Sequence, residues 1–376
     1  MKIVLAFDSF KGSLTSSEVA DAYEEGVLSV APHCEICKVS IADGGEGTVD
    51  ALVKAHDGVY RDVNVSDPIG RPIEARYGII NNGNTAIIEM ASASGLTLLA
   101  PSERNPLITT TYGTGQMLVD ALNRGCRHFL IGIGGSATND GGIGMLSALG
   151  YRFLDNKGNI LTGNGASLMK IAKIDSSQLL PSVKEARFTV ACDVTNPLYG
   201  ENGAAYIFAP QKGADATMVI QLDNGLRNYA QVIEKHNGAQ IAQLPGAGAA
   251  GGLGGAFYAL LNAQLVPGIE MILEAINFEQ IISGSNLVIT GEGCIDHQTV
   301  MGKTPSGVLR IASKQNIPVV AIGGKVKWCD ALKESNFAAI MPISNEGLTI
   351  EEAMKPDIAK KNVKNTAIRI AKMLNL

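Results

Sequence analysis

The sequence predicts an α/β protein of two domains: a parallel, doubly wound domain built from both chain ends, and an inserted domain with a mixed sheet. Three observations predict it. Ile3–Phe7 is a continuous apolar run followed by helix-capping residues, as in a buried parallel strand that feeds a helix. Between residues 60 and 90 the pattern changes to strands separated by Asp67-Pro68-Ile69-Gly70 and Asn81-Asn82-Gly83-Asn84, both turn signals. From residue 286 the opening style returns. These changes place the first domain at residues 1–60 with 270–376, and the inserted domain at 61–269. A chain of 376 residues also exceeds one ordinary core.

Along the chain, Thr15, Ser16 or Ser17 can cap a first helix that carries Glu18 and Asp21 in its opening turns. Glu35–Ile41 reads as the second strand and Glu46–Ala55 as the second helix. Tyr60–Val65, Ile73–Ile80 and Thr85–Met90 read as antiparallel strands. His128–Ile133 and Arg187–Cys192 are apolar strands, and helices are expected over Asp215–His236 and Leu253–Ala263. Asn286–Thr290 is expected to end at Gly291-Glu292-Gly293, and Pro318–Ile322 at Gly323-Gly324. Ala338–Ile343 is a last strand, and a helix over Asp357–Leu376 closes the chain.

Composition excludes several classes. A net charge of −5 with no long basic block leaves no nucleic-acid footprint. The start has no secretory signal, since Asp8 interrupts a short apolar run. Asn237–Ile269 carries no charged residue, but its prolines and dense glycines make it too weakly hydrophobic to span a bilayer. The six cysteines are scattered; Cys34 and Cys37 fall on opposite faces of a strand, which suits reduced thiols in a cytoplasmic protein rather than a redox pair or a zinc site.

In parallel sheets, ligands bind beyond the carboxyl ends of the strands. Here those ends carry Asp8-Ser9-Phe10-Lys11-Gly12-Ser13, Ala42-Asp43-Gly44-Gly45-Glu46-Gly47-Thr48, Gly134-Gly135-Ser136-Ala137-Thr138-Asn139-Asp140-Gly141-Gly142, Asp193-Val194-Thr195-Asn196-Pro197 and Gly291-Glu292-Gly293-Cys294-Ile295-Asp296. Glycine loops present backbone N–H groups to phosphate oxygens. Carboxylates hold Mg²⁺ or take a proton, and lysine neutralises charge on a moving phosphoryl group. Lys11, Lys212 and Lys303 stand in suitable glycine contexts.

Familiar motifs fail. Gly302-Lys303-Thr304 mimics the end of a P-loop, but His297 stands where its first glycine belongs. Gly132-x-Gly134-x-x-Ala137 fits a dinucleotide fingerprint loosely, yet Thr138–Gly142 is too glycine-rich to be the helix that must follow. Gly246-x-Gly248-x-x-Gly251 fits literally but lacks a good preceding strand. Gly134-Gly135-Ser136 lacks the spacing of a nucleophile elbow, and His297 beside Asp296 reads as a solvated loop residue.

Taken in order, these loops resemble the type-1 glycerate kinase family of bacteria over essentially the whole chain. Further matching segments are Glu89-Met90-Ala91-Ser92-Ala93-Ser94-Gly95-Leu96, Pro210-Gln211-Lys212-Gly213-Ala214 and Pro245-Gly246-Ala247-Gly248-Ala249-Ala250-Gly251-Gly252. The resemblance implies a flavodoxin-like, or Rossmann-like, domain made from both chain ends. It implies ATP- and Mg²⁺-dependent phosphorylation of D-glycerate, in the breakdown of glyoxylate, glycolate and sugar diacids, with the 2-position favoured. Two departures stand out. Ala6-Phe7-Asp8 replaces the usual A-P-D, and Gly293-Cys294-Ile295-Asp296 replaces G-R-I-D, so a fixed charge and bidentate donor are absent at residue 294.

These readings place glycerate and ATP in the cleft between the domains. Asp8, Lys11, Asp193 and Asp296 are expected to be catalytic. Ser9, Asp43, Glu46, Arg104, Gly134, Gly135, Ser136, Thr138, Asn139, Lys212, Glu292 and Lys303 are expected to bind substrate or ATP, and Asp43 and Asp193 to hold the metal. Which aspartate is base and which holds metal stays open, as does oligomeric state. Two rivals remain: a nicotinamide-dependent oxidoreductase of a small hydroxy acid, and a small-molecule sensor without catalysis.

Overall fold

The computed structural model describes residues 1–42, 44–45, 47–343 and 348–376. Its strands are β1 (Lys2–Phe7), β2 (Glu35–Ser40), β3 (Val59–Ser66), β4 (Pro72–Ile80), β5 (Thr85–Glu89), β6 (His128–Gly132), β7 (Arg152–Leu154), β8 (Lys173–Asp175), β9 (Arg187–Ala191), β10 (Gln264–Val266), β11 (Leu287–Ile295), β12 (Val319–Val326) and β13 (Ala339–Pro342). The chain divides into two compact units, one of Met1–Asp43 with Ile272–Leu376, the other Gly44–Met271.

The first unit holds a parallel sheet in the order β13-β12-β11-β1-β2. β1 pairs on one side with β2, Val4 opposite Cys37, and on the other with β11, Val4 opposite Val288. Being covered on both faces, β1 must be apolar throughout, and Val4 to Phe7 are fully buried. The helix Ser16–Leu28 starts at Thr15, whose hydroxyl accepts from the Glu18 N–H while the Glu18 carboxylate accepts from the Thr15 N–H. It packs on the last helix, Pro356–Met373. A Cβ at Gly26 would lie 2.5 Å from the Lys364 carbonyl, so only glycine permits that approach. Phe7, where the family pattern has proline, is buried against the Tyr23 ring at 5.6 Å between centroids.

β11 and β12 run further than expected. Gly291-Glu292-Gly293 and Gly323-Gly324 lie inside them, not in loops after them. The reason is a close approach of two backbones. A Cβ at Gly291 would sit 2.2 Å from the Ile322 carbonyl, and one at Gly324 2.6 Å from that of Gly293. Here glycine lets neighbouring strands come together, where the sequence alone suggested a stop.

The second unit holds a six-stranded mixed sheet, β10-β9-β6-β5-β4-β3. β3 and β4 pair antiparallel, as do β4 and β5, while β5, β6, β9 and β10 run parallel. The Asp67 turn is fixed by its buried carboxylate, which accepts from the N–H groups of Ile69 and Arg71 and from Arg71 Nε. The helix Thr48–Ala55, read from sequence as the end of the first domain, packs instead on β4 and β5; Val53 fills the space that Gly78 leaves by having no side chain. The break expected near residue 60 therefore falls at residue 44.

The uncharged stretch 237–269 forms a buried helix, Ala249–Leu261, and β10. Among the described residues, no helix is long and apolar enough to cross a membrane.

We predict that Gly291→Ala destabilises the fold by about 2 kcal/mol or more, because the clash is with backbone and cannot be relieved by a rotamer change. Urea denaturation followed by circular dichroism measures this; an unchanged midpoint would contradict the close-approach account.

Candidate functional site

In the first unit the chain passes from β1 to β2 on one side of the sheet, and from β11 to β12 and β13 on the other. The order therefore reverses between β1 and β11. Such a switch point opens a crevice at the strand ends. A cavity of about 680 Å³ lies there, and Asp8, Ser9, Lys11, Glu292, Asp296 and Lys303 all line it. Six of the residues expected from sequence are thus brought together by one strand junction.

The carboxylates are held by local donors. Asp8 is 6% exposed; it accepts from the Ser9 N–H at 2.6 Å and from the Thr304 hydroxyl at 3.2 Å. Glu292 accepts from the Thr299 hydroxyl at 2.6 Å and lies 3.8 Å from the Lys303 ammonium. Burial pushes the Glu292 carboxyl above its ordinary range, and the Thr299 hydrogen bond only partly opposes this. Asp296 accepts from the Gln298 N–H at 2.9 Å. Cys294 lines the same cavity, its Sγ 3.9 Å from an Asp296 oxygen. Burial, then the nearby Asp296 charge, pushes its thiol upward, so the thiol stays protonated. Its register partner on β12 is Lys325, which also lines the cavity with Lys327.

Sequence reasoning missed Thr299, Thr304, Lys325 and Lys327. Thr304 stood within a motif set aside as a failed P-loop. Its position at the start of the helix Thr304–Lys314 was the available signal. Lys325 lies in a strand extension that the glycine pair concealed, and Lys327 directly follows it.

The second unit presents a different arrangement. After β6, Gly134 and Gly135 are exposed, whereas Ser136 to Asp140 are buried. Asp140 anchors the loop, accepting from the Thr111 N–H and hydroxyl, both at 2.8 Å, from Gly142 N–H at 3.0 Å and Gly144 N–H at 3.3 Å. Its burial nonetheless pushes the carboxyl up. Lys212 is 2% exposed and donates to Ser136 Oγ and to the Thr138 carbonyl, each at 2.7 Å. Burial pulls this amine down to about 7, the Asp140 charge opposing. Around it, Thr138 Oγ1, both polar atoms of the Asn139 amide and Arg104 Nε are buried without a hydrogen-bond partner among the described residues. Such orphaned groups are rare unless a ligand or water meets them.

The Gly246–Gly252 run supports this loop. Ala250, Gly251 and Gly252 take left-handed conformations, and a Cβ at Gly251 would lie 2.2 Å from the Thr138 carbonyl. No strand directly precedes the run, since the helix Ala216–Asn237 does. After Gly132 the next helix begins only at Ile143. Neither dinucleotide fingerprint therefore has its required strand–turn–helix context.

Of the other expected residues, Asp193 accepts from the Gly268 N–H at 2.8 Å, at the start of the helix Gly268–Ala275. Asp43 and Glu46 lie outside the described residues.

Buried carboxylates with lysines at a parallel switch point, and a glycine loop over a buried lysine, define an α/β enzyme built for small anionic ligands. Comparison with known proteins narrows the class. The chain matches the glycerate kinase family over residues 3–375. It is 49% identical to a glycerate 2-kinase of Escherichia coli K12, over 94% of this chain and 93% of that one. It is 46% identical to a glycerate kinase of Bacillus cereus, over 99% and 97% of the two chains. A crystal structure from Salmonella typhimurium LT2, of a protein put forward as a glycerate kinase 2, is 44% identical with a TM-score of 0.89, covering 100% of this chain and 98% of the other. The chain belongs to the glycerate kinase family, and the resemblance read from its loops is borne out.

The depressed Lys212 value makes a stability prediction. An amine whose folded pKa is lowered destabilises the fold increasingly as pH falls from its unfolded value of 10.5 toward about 7, and the full cost is present below that. Lys212→Met removes this cost. The stability of the variant relative to wild type should rise by at least about 1 kcal/mol between pH 10 and pH 7. Urea melts at a series of pH values measure the difference; a flat or falling difference would contradict the burial account.

Proposed function

We propose that this protein transfers the γ-phosphoryl group of ATP to the 2-hydroxyl of D-glycerate. The observation that carries the reading is family membership over nearly the whole chain, joined to a buried carboxylate and lysines at the β1–β11 switch point. The E. coli relative named glycerate 2-kinase supports the 2-position. In the reaction a hydroxyl oxygen of glycerate bonds to the γ-phosphorus, the bond to the β-phosphate oxygen breaks, and the hydroxyl proton passes to a carboxylate.

In the first unit we assign Asp8 as the proton acceptor. Its backbone and hydroxyl donors fix the carboxylate, and its burial keeps water from competing. Lys11 is assigned to the charge of the transferred group, with Ser9, Lys303 and Glu292 ordering the cavity around it. Asp296 is a second carboxylate of that cavity. In the second unit, Lys212, Arg104, Asn139 and the Gly134–Thr138 loop are assigned to an anionic group. The partnerless polar atoms there support this.

Mg²⁺ characteristically takes one or two carboxylates and completes its shell with phosphate oxygens and water. A set of three protein ligands is therefore not required. Asp43 lies outside the described residues, and the hard carboxylate oxygens of Asp193, the other residue expected to hold the metal, suit the ion. Bound with ATP, it would neutralise phosphate charge. Free cysteines throughout and a substrate such as ATP suit a cytoplasmic enzyme. The oxidoreductase reading loses its support with the two failed fingerprints, and the sensor reading with the kinase family match.

The test is ³¹P and ¹H NMR of the product formed from ATP and D-glycerate, with ADP release followed in parallel. The expected product is 2-phosphoglycerate, formed with equimolar ADP and only when glycerate is present. 3-Phosphoglycerate would overturn the regiochemistry, and ADP release indifferent to glycerate would overturn the substrate.

A further inference from the structure

We propose that the first unit's cavity is the nucleotide site: the adenine lies on an apolar wall formed by Leu348, Ile350 and Met354, and the triphosphate runs toward Lys303, Lys325 and Lys327. The inference rests on the reading of this chain as an ATP-using glycerate kinase and divides the labour of its units.

The wall is the first argument. Leu348, Ile350 and Met354 are 40%, 64% and 38% exposed, yet all three line one cavity. Clustered apolar side chains left in water within a concavity mark a site for a ligand with an apolar face. They are held in place locally: the Thr349 hydroxyl and N–H make a capping box with Glu352, starting the short helix Ile350–Ala353, and Met354 Cε would touch a Cβ at Gly12, at 2.9 Å. The segment therefore reaches the loop that follows β1.

The cations are the second argument. Lys303, Lys325 and Lys327 line the same cavity, and neither Lys325 nor Lys327 has an ion-pair partner among the described residues. An apolar wall and three lysines sharing one cavity match a molecule with a flat, weakly polar end and a polyanionic end. A purine nucleotide has that form. Glycerate does not, because it is polar throughout and too small to cover the wall. The volume, about 680 Å³, lies in the usual range for a site that buries a whole small molecule. The switch point supplies the third argument, since open parallel sheets bind their ligands there. Asp8 and Lys11, which share the cavity, then meet the phosphate end.

The test is calorimetric binding to the full-length protein with three probes: AMP-PNP, AMP and inorganic triphosphate. Leu348→Asp/Ile350→Asp changes solvent-facing positions, and circular dichroism melts check that it folds. It should weaken AMP-PNP and AMP by about tenfold or more while leaving triphosphate within about twofold. Lys325→Ala/Lys327→Ala should weaken AMP-PNP and triphosphate by about tenfold and leave AMP nearly unchanged. AMP-PNP affinity unchanged in both variants would overturn the proposal, as would equal losses for all probes in both. The wild-type ADP assay separates the two readings. Glycerate-dependent ADP release with unaffected variants removes this site and keeps the kinase. The predicted binding pattern without glycerate-dependent ADP keeps the site and removes the substrate assignment.

Discussion

The pairing of β1 with β11 is the constraint on which the first unit depends. Residues at opposite ends of the chain, Ile3 and Leu287 through Phe7 and Gly291, lie side by side in a parallel ladder. The paired segments are buried and mostly apolar, with the Thr290 hydroxyl satisfied by the Ala6 carbonyl, and the ladder fixes the order of the sheet. It also creates the one place where successive connections leave in opposite directions. Asp8 follows β1 directly, and Glu292 and Cys294 lie within β11, so the same ladder sets a carboxylate beside the cavity that the switch opens. The last helix, packed on Ser16–Leu28, ties the carboxyl end of the chain onto the same layer.

The second unit solves a different problem. A lysine buried to 2% and a fully buried aspartate are costly unless their surroundings are ordered to meet them. Asp140 receives four donors, and Lys212 reaches two oxygens of the loop after β6. The loop can approach so closely because Gly251 has no side chain to strike the Thr138 carbonyl. The uncharged glycine stretch thus serves as a scaffold for a charged pocket. That explains an uncharged, glycine-dense composition that superficially resembles a membrane segment or a dinucleotide loop and was read as neither.

Much of the fold was legible in the sequence because parallel strands buried on both faces appear as unbroken apolar runs. Ile3–Phe7, His128–Ile133 and Arg187–Cys192 were placed within a residue or so by that signal alone. The errors share a cause. Glycine at 291, 293, 323 and 324 was taken as a stop, though local sequence cannot distinguish a turn from a close approach between strands. The helix Thr48–Ala55 was assigned to the wrong unit because its partner, Gly78, is distant in sequence. At the site, Asp8, Glu292 and Asp296 were legible as carboxylates at expected strand ends, and Lys303 from its glycine context. Thr304 and Lys325 were not: Thr304 matters because its hydroxyl donates to Asp8, 296 residues away in sequence, and Lys325 because it pairs in register with Cys294 on the neighbouring strand. Glycerate itself was legible only through the resemblance of whole loops in order.

The account centres chemistry on Asp8, a carboxylate held by the Ser9 amide and the Thr304 hydroxyl at the β1–β11 junction. The most direct test is the single-turnover rate of Asp8→Asn with saturating ATP and D-glycerate, alongside its affinity for AMP-PNP. Asparagine keeps the size and can still accept one of the two hydrogen bonds, but it cannot take a proton. The account predicts a rate lower by about 10² or more, with nucleotide affinity within about threefold of wild type. A variant that turns over at near the wild-type rate would contradict it.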